Sequence, residues 1–280
     1  MSARQTGPRA LVLAGFGINC EHESRAAWRL AGAEAEIRHM SEIFSGALNF
    51  DAYDIVHIPG GFSYGDELGS GKVLANRIRN TRLPNGTRVL DVFGRFLADK
   101  GLLVGICNGF QVLVKSGLLP NLGGNFDKEV TLTVNLSARF EDRWVRCAPA
   151  GIGKRIFGTE AFELPVRHGE GRIAVKDDET RMLLQEKGLI GLQYVDAAGK
   201  PTEQFPENPN GSPLGIASLI SADGQVIGMM PHPEAHLSRL NHPAWALRAR
   251  DGVSIDDESD GLRLFRAMVS TAKTLKGQPA

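Results

Sequence analysis

Residues 102–115 read LLVGICNGFQVLVK. Leu102–Ile106 is a short, continuous apolar run, the pattern of a strand buried on both faces. Phe110–Lys115 has helical spacing. Gly105 and Gly109 flank the junction, so the backbone can turn there more tightly than a Cβ would allow. A strand that feeds straight into a helix is the unit of a parallel sheet covered by helices. Cys107 sits at the turn of that unit.

The same grammar runs through the first half of the chain. Ala10–Ala14 is another apolar run, followed by a glycine-containing loop, 15–20, and a helical stretch from Glu21 to Leu30. Ala35–His39 and Ile55–Ile58 are further strands, and 88–100 is a helix with Leu90, Phe93 and Leu97 on one face. Sheets of this kind put their chemistry at the C-terminal strand ends. Loops 15–20, 59–66 and 105–109 fall there.

From Val130 onward the alternation at 131–136, 143–147 and 171–175 predicts antiparallel strands. Strands at 188–195, 216–219 and 225–230 follow, with a Pro-, Asn- and Gly-rich loop at 200–213. Residues 238–258 read as irregular. Asp260–Leu275 is an amphipathic helix with Leu262, Phe265, Met268, Ala272 and Leu275 on one stripe. No repeat, low-complexity block or linker divides the chain. The expectation is a loose tail over 1–8 and one α/β domain over 9–280.

The 280 residues, 42% hydrophobic and 23% charged, are enough for a full core. Lys plus Arg and Asp plus Glu are both 32, which argues against a protein working by bulk attraction to nucleic acid or membrane. Three cysteines, Cys20, Cys107 and Cys147, without CxxC spacing favour neither a disulfide framework nor a cysteine-rich zinc site. Met1–Pro8 has no apolar signal core, and no apolar run approaches the ~20 residues of a membrane span. A cytoplasmic location is expected.

A nucleophile at a strand-to-helix elbow projects outward over crowded backbone N–H groups. The helix start favours a thiolate there. A thiol nucleophile needs a base, and the base needs an orienting group. Met230-Pro231-His232-Pro233-Glu234 supplies both types after a strand. If its prolines hold it extended, His232 and Glu234 project to one side. Pro59-Gly60-Gly61 follows another strand, and its N–H groups, with that of Asn108, suit an oxyanion hole. Alone, each piece has a plain alternative: a buried small thiol, a solvated loop, a turn.

Together they resemble the class I glutamine amidotransferases, which have a flavodoxin-like α/β fold. Within them the chain is similar to the glutaminase subunits of phosphoribosylformylglycinamidine synthase, of purine biosynthesis. The matching runs are Asn19-Cys20-Glu21, IPGGFSYGD at 58–66, GICNGFQ at 105–111, GLLPN at 117–121, HGEG at 168–171, NPNGSP at 208–213 and GMMPHPE at 228–234. FSYGD and HGEG point to this subfamily.

The resemblance implies a Cys107–His232–Glu234 triad that hydrolyses glutamine through a thioester. Gly60, Gly61, Asn108 and Gln111 would serve the oxyanion and substrate. It also implies a synthetase partner, with a small bridging subunit, converting formylglycinamide ribonucleotide to formylglycinamidine ribonucleotide. ATP and Mg would belong to that partner, because no GxxxxGK[ST] loop occurs here. No cofactor or metal is expected in this chain, and the His232/His236 spacing carries little weight because Pro233 interrupts it. Two departures from the family pattern bear on partner contact and gating: loop 67–71 lacks arginine, and Ala235 follows the HPE run. Cys20, in a glycine-rich loop, fits either a packed thiol, the favoured reading, or an approach to the site, and Cys147 is expected to be core. His168 fits a substrate contact, a partner contact or a loop-fixing role. Rival readings are a cysteine hydrolase of another amide and a non-catalytic scaffold of the same fold.

Overall fold

The computed structural model describes residues 7–278. Residues 1–6 of the expected tail lie outside the described residues, and Gly7 and Pro8 lead directly into the first strand. The strands are β1 (Arg9–Ala14), β2 (Glu34–His39), β3 (Ile55–Ile58), β4 (Leu102–Ile106), β5 (Val130–Thr133), β6 (Glu141–Pro149), β7 (Phe162–His168), β8 (Arg172–Val175), β9 (Ile190–Tyr194), β10 (Ile216–Ile220) and β11 (Val226–Met229). The helices are α1 (Glu21–Leu30), α2 (Met40–Ser45), α3 (Lys72–Asn80), α4 (Val89–Ala98), α5 (Asn108–Ser116), α6 (Gly151–Phe157), α7 (Asp178–Glu186), α8 (Trp245–Arg250) and α9 (Asp260–Leu275).

The main sheet has nine strands in the order β2-β1-β3-β4-β11-β10-β9-β6-β7. Its first five are parallel and its last four antiparallel. This is the expected mixed α/β architecture. β3, β4 and β11 are apolar and buried throughout because helices cover both faces. α4 packs Phe93 edge-on against Phe50, with ring centres 5.0 Å apart. The register then fixes the site. Ile58 pairs with Gly105, and Gly228 pairs with the same Gly105. So β3, β4 and β11 end side by side, and the chain leaves them at Pro59, Cys107 and Met230.

Several expectations change. β5 stops at Thr133 and pairs only with β8, as a ribbon outside the main sheet. Residues 238–258 are not wholly irregular: Arg239–Asn241 forms a 3-10 turn and α8 follows. Ser238 caps that turn by accepting from Leu240 N–H. The buried stripe of α9 is Gly261, Leu264, Phe265, Met268, Val269 and Ala272, so Leu262 and Leu275 lie at its margin. α3 and β7 had no sequence-based counterpart. Among the described residues no helix is long and apolar enough to cross a membrane.

Candidate active site

Cys107 sits between β4 and α5 with φ +50° and ψ −105°, a region a residue bearing a side chain rarely enters. Neighbouring contacts hold it there. Its N–H donates to the Met229 carbonyl (2.8 Å), and its carbonyl accepts from Gln111 N–H (3.0 Å). A Cβ on Gly105 would lie 2.7 Å from the Gly109 carbonyl carbon, so strand and helix cross here with no room for side chains. The thiol is 5% exposed, and Sγ lies 3.5 Å from the Arg167 carbonyl.

His232 and Glu234 come together, though by a different local route. Pro233–Ala235 is a 3-10 turn, not extended chain, and Ala235 N–H donates back to the His232 carbonyl. His232 Nδ1 lies 2.6 Å from Glu234 Oε1, with both side chains buried. The His232 backbone N–H donates to the Pro165 carbonyl of β7, which ties the turn to the sheet's far edge. Burial works against charge on His232. The Glu234 carboxylate and the Cys107 and Cys20 thiols outweigh it and hold the imidazole well above its ordinary range. Burial pushes Glu234 up, but His232 prevails and holds it below the usual carboxylate range. Among the described residues, the Cys107 and Cys20 thiols are the groups that face the rest of the His232 ring, and no nitrogen or oxygen donor or acceptor bonds Nε2.

Gly60 and Gly61 line the same pocket. A Cβ on Gly60 would lie 2.8 Å from His232 Cε1 and 3.2 Å from Cys20 Sγ. Gly61 has φ +145° and bridges to Ile18, so loop 15–20 is laid across the glycine turn. Asn19 and Cys20 N–H groups both donate to the Gly60 carbonyl. Of the two readings open for Cys20, the less favoured one holds: its thiol reaches the site. Ligand atoms of Cys20, His232 and Glu234 lie within 4.8 Å of one another. His236 turns away, with Nδ1 on the Glu163 carbonyl.

Asn108 and Gln111 are buried and mutually bonded. Asn108 Nδ2 donates to Gln111 Oε1 (2.9 Å), and Asn108 Oδ1 accepts from Ser63 N–H (3.2 Å). Gln111 Nε2 donates to the Glu170 carbonyl (2.6 Å). Gln111 therefore ties Asn108 to the HGEG segment, accepting from the one and donating to the other. His168 does the same kind of work: its Nδ1 meets Asn135 Oδ1, whose amide also donates to the His168 carbonyl.

Loop 67–71, without arginine, is held by Lys115 instead. The ammonium donates to the Ser70 carbonyl and pairs with Glu170 at 3.3 Å. Ser70 Oγ donates to Asp66, and Ser70 N–H to Glu170. Sequence reasoning found no role for Ser70, Lys115 or Glu170 in this brace, because the three lie 45 to 100 positions apart.

Burial pushes His168 down to about 3, with the His232 charge adding to it, and His57 down to about 4. Both rings are therefore neutral in the native fold. In the unfolded chain they protonate near 6.5. As pH falls from 6.5 toward 4, the unfolded state takes up protons the native state refuses, so stability falls. Each ring contributes about 1.4 kcal/mol per pH unit. His232, raised, is protonated in both states across this window, and Glu234, lowered, matters only below its ordinary value. The melting temperature is expected to drop by several degrees between pH 6.5 and 5. A flat melting profile over that range contradicts neutral, buried rings.

Sheet order, the strained cysteine elbow and the histidine–glutamate turn beside it define the class: this is a class I glutamine amidotransferase fold. The family described as the CobB/CobQ-like glutamine amidotransferase domain matches residues 7–270. Subunit PurQ of phosphoribosylformylglycinamidine synthase from Dehalococcoides mccartyi is 36% identical over 267 residues, covering 95% of this chain and 98% of the relative. Phosphoribosylformylglycinamidine synthase of Drosophila melanogaster is 39% identical over 248 residues, 86% of this chain but 18% of that longer protein. The solved structure of PurLQS from Thermotoga maritima superposes with a TM-score of 0.66 at 26% identity, covering 94% of this chain and 98% of the other. The chain belongs to the CobB/CobQ-like glutamine amidotransferase family and, within it, to the PurQ subunits of phosphoribosylformylglycinamidine synthase.

Proposed function

We propose a thioester route for the step this glutaminase subunit performs, the release of ammonia from glutamine for formylglycinamidine ribonucleotide synthesis. The observation that carries it is the 2.6 Å His232–Glu234 pair standing beside a cysteine locked at positive φ. The raised His232 already holds the thiol proton as imidazolium, and the Cys107 thiolate attacks the side-chain amide carbon. Gly61 and Asn108 N–H groups receive the developing oxyanion. The intermediate collapses, His232 returns the proton to nitrogen, and ammonia leaves a glutamyl thioester. His232 then draws a proton from water as its oxygen attacks the thioester carbon; the C–S bond breaks, glutamate leaves, and the Cys107 thiolate is restored beside the imidazolium. Glu234 holds the ring's tautomer and stabilises the imidazolium, as the carboxylate of a serine triad does. Gly60 leaves room for the ring, and Gln111 keeps the wall of the glutamine pocket in place.

Ammonia passes to a synthetase subunit, with a small bridging subunit in the same cytoplasmic complex. ATP and Mg work there, and this chain needs no cofactor. Residues 9–280 act as one domain. Nucleic acid and membrane have no part in the reading. The roles proposed for Cys107, His232 and Glu234 involve no metal.

The test is labelling by a glutamine-mimicking alkylator, read by mass spectrometry in the reconstituted complex. Modification of Cys107 with loss of glutamine-dependent activity is expected. Failure to modify Cys107 favours the scaffold reading, and the absence of glutamate release under any condition sinks the glutaminase assignment.

A further inference from the structure

β3 reads Ile55-Val56-His57-Ile58, a histidine in an otherwise apolar strand that ends at the Pro59–Gly61 turn. The ring is fully buried. Trp28 Nε1–H donates to His57 Nδ1 at 2.9 Å. An indole nitrogen can only donate, so Nδ1 carries no proton and the neutral ring bears its proton on Nε2. The indole is itself fixed. Trp28 is fully buried and meets Phe265 of α9 edge-on, with centres 4.8 Å apart. α9 in turn packs on the turn that carries Glu234, touching it through Gly261.

Among the described residues His57 Nε2–H has no acceptor and Glu234 Oε2 has no donor, and α1 beside them leaves Ser24 Oγ and Glu21 Oε2 open as well. Phe265 and Gly261 of α9 link the first two, the one against the His57 ring and the other against the Glu234 turn. His57 Nε2–H and Glu234 Oε2 are complementary, since one can only donate and the other only accept. The Glu234 charge acts on the His57 ring, and His57 acts on the carboxylate in return. Buried polar atoms left open are unfavourable, so each of these two favours a relaxation that brings it to the other. The groups near Glu234 are His232 on its own turn, His57 from β3, the thiols of Cys20 and Cys107 near the His232 ring, α1 with Glu21 and Ser24, which packs on the same turn, and the side-chain-free Gly261 from α9.

We propose that His57 is a positioning residue for amide hydrolysis, its Nε2–H serving Glu234 Oε2 in a buried chain Trp28–His57–Glu234–His232 behind Cys107. This rests on the reading that Glu234 orients His232. A neutral donor suits the task. It keeps the second carboxylate oxygen satisfied, so that Glu234 stays ionised with Oε1 on His232. A charged histidine there would instead offset the carboxylate and weaken its hold on the imidazolium. Carboxylates that orient a working imidazole are themselves usually hydrogen-bonded, and removing such outer partners typically costs ten- to a hundredfold.

The test uses the complex reconstituted with its synthetase partner, comparing wild type, His57→Phe, His57→Gln, Glu234→Ala and the His57→Phe/Glu234→Ala double variant. His57→Phe is expected to lower the glutamine-dependent kcat by about tenfold, with KM for glutamine unchanged. Its acidic pH limb should move upward, because a carboxylate that loses a donor protonates more readily. His57→Gln, whose amide keeps a donor near the Nε2 position, should recover most of the loss. In the Glu234→Ala background His57→Phe should add nothing, since the group it serves is gone. A wild-type kcat and pH profile in His57→Phe, or an equal fold-loss in both backgrounds, overturns the proposal. A wild-type rate in Glu234→Ala instead removes the role of Glu234 itself. If His57→Phe does not fold, Trp28→Phe releases the tautomer while leaving His57 in place. A shifted acidic limb supports the proposal, and an unchanged limb overturns it.

Discussion

Cys107→Ala is expected to lose glutamine-dependent synthesis by at least about 10⁴-fold while synthesis from added ammonium continues at the wild-type rate. The size of the loss follows from what is removed. Without sulfur there is no acyl-enzyme, and the oxyanion donors and substrate pocket can give only residual catalysis. Folding should not confound the result. The Cys107 side chain meets only the Arg167 carbonyl, weakly, and the His232 ring, and alanine can hold the same backbone. The melting temperature should therefore stay within the shift of about 1 kcal/mol. Initial rates with glutamine and with ammonium, in the same reconstituted complex, make the comparison. Equal loss with both nitrogen sources contradicts a separate ammonia-supplying role. Retained glutamine-dependent activity points to another nucleophile, and Cys20 is the thiol near enough to His232 to be examined first.

What the sequence disclosed depended on how local each signal was. β3 and β4 were legible to the residue, because an apolar run stopped by glycine or by a turn needs no distant information. α5 was legible as a helix but not at its start, since Asn108 and Gly109 look like loop until the elbow is folded. α3 escaped notice because its buried face is only Leu74, Ala75 and Ile78 among basic residues, and it starts from Gly71 without a side-chain cap. β7 contains Pro165, which reads as a breaker but is tolerated on an edge strand. The His232–Glu234 partnership was legible, yet the stated cause was not the real one. Alternation in extended chain was expected, and a 3-10 turn does the work. The approach of Cys20 was legible only as the less favoured of two readings, and the Lys115–Glu170 brace and the Trp28–His57 bond were invisible, because each joins segments that only the fold brings together.

Gly109→Ala is expected to damage both stability and catalysis, although it adds a single methyl group to a helix. A Cβ at this position would overlap the Ile58 carbonyl oxygen and lie 2.8 Å from the Ile58 carbonyl carbon. Those are backbone atoms at the end of a central strand that pairs with β1 on one side and β4 on the other. They cannot rotate out of the way as a side chain would, so α5 must withdraw from β3. Overpacking of this kind destabilises by about 2–4 kcal/mol. The same withdrawal separates Asn108, one residue before Gly109, from Gly60 and Gly61, two and three residues after Ile58. Those are the groups proposed to share the oxyanion. A displacement of ~1 Å between them is enough for a loss of about 10²-fold in the glutamine-dependent kcat. Gly123→Ala is the matched control, since its Cβ would meet nothing closer than Asn125 at 3.9 Å and its φ is not positive. It should leave the rate unchanged and raise the melting temperature slightly, through the less flexible unfolded chain. If Gly109→Ala folds with a wild-type glutaminase rate, the α5–β3 contact does not set the oxyanion geometry, and the donors must be sought elsewhere along loop 59–66.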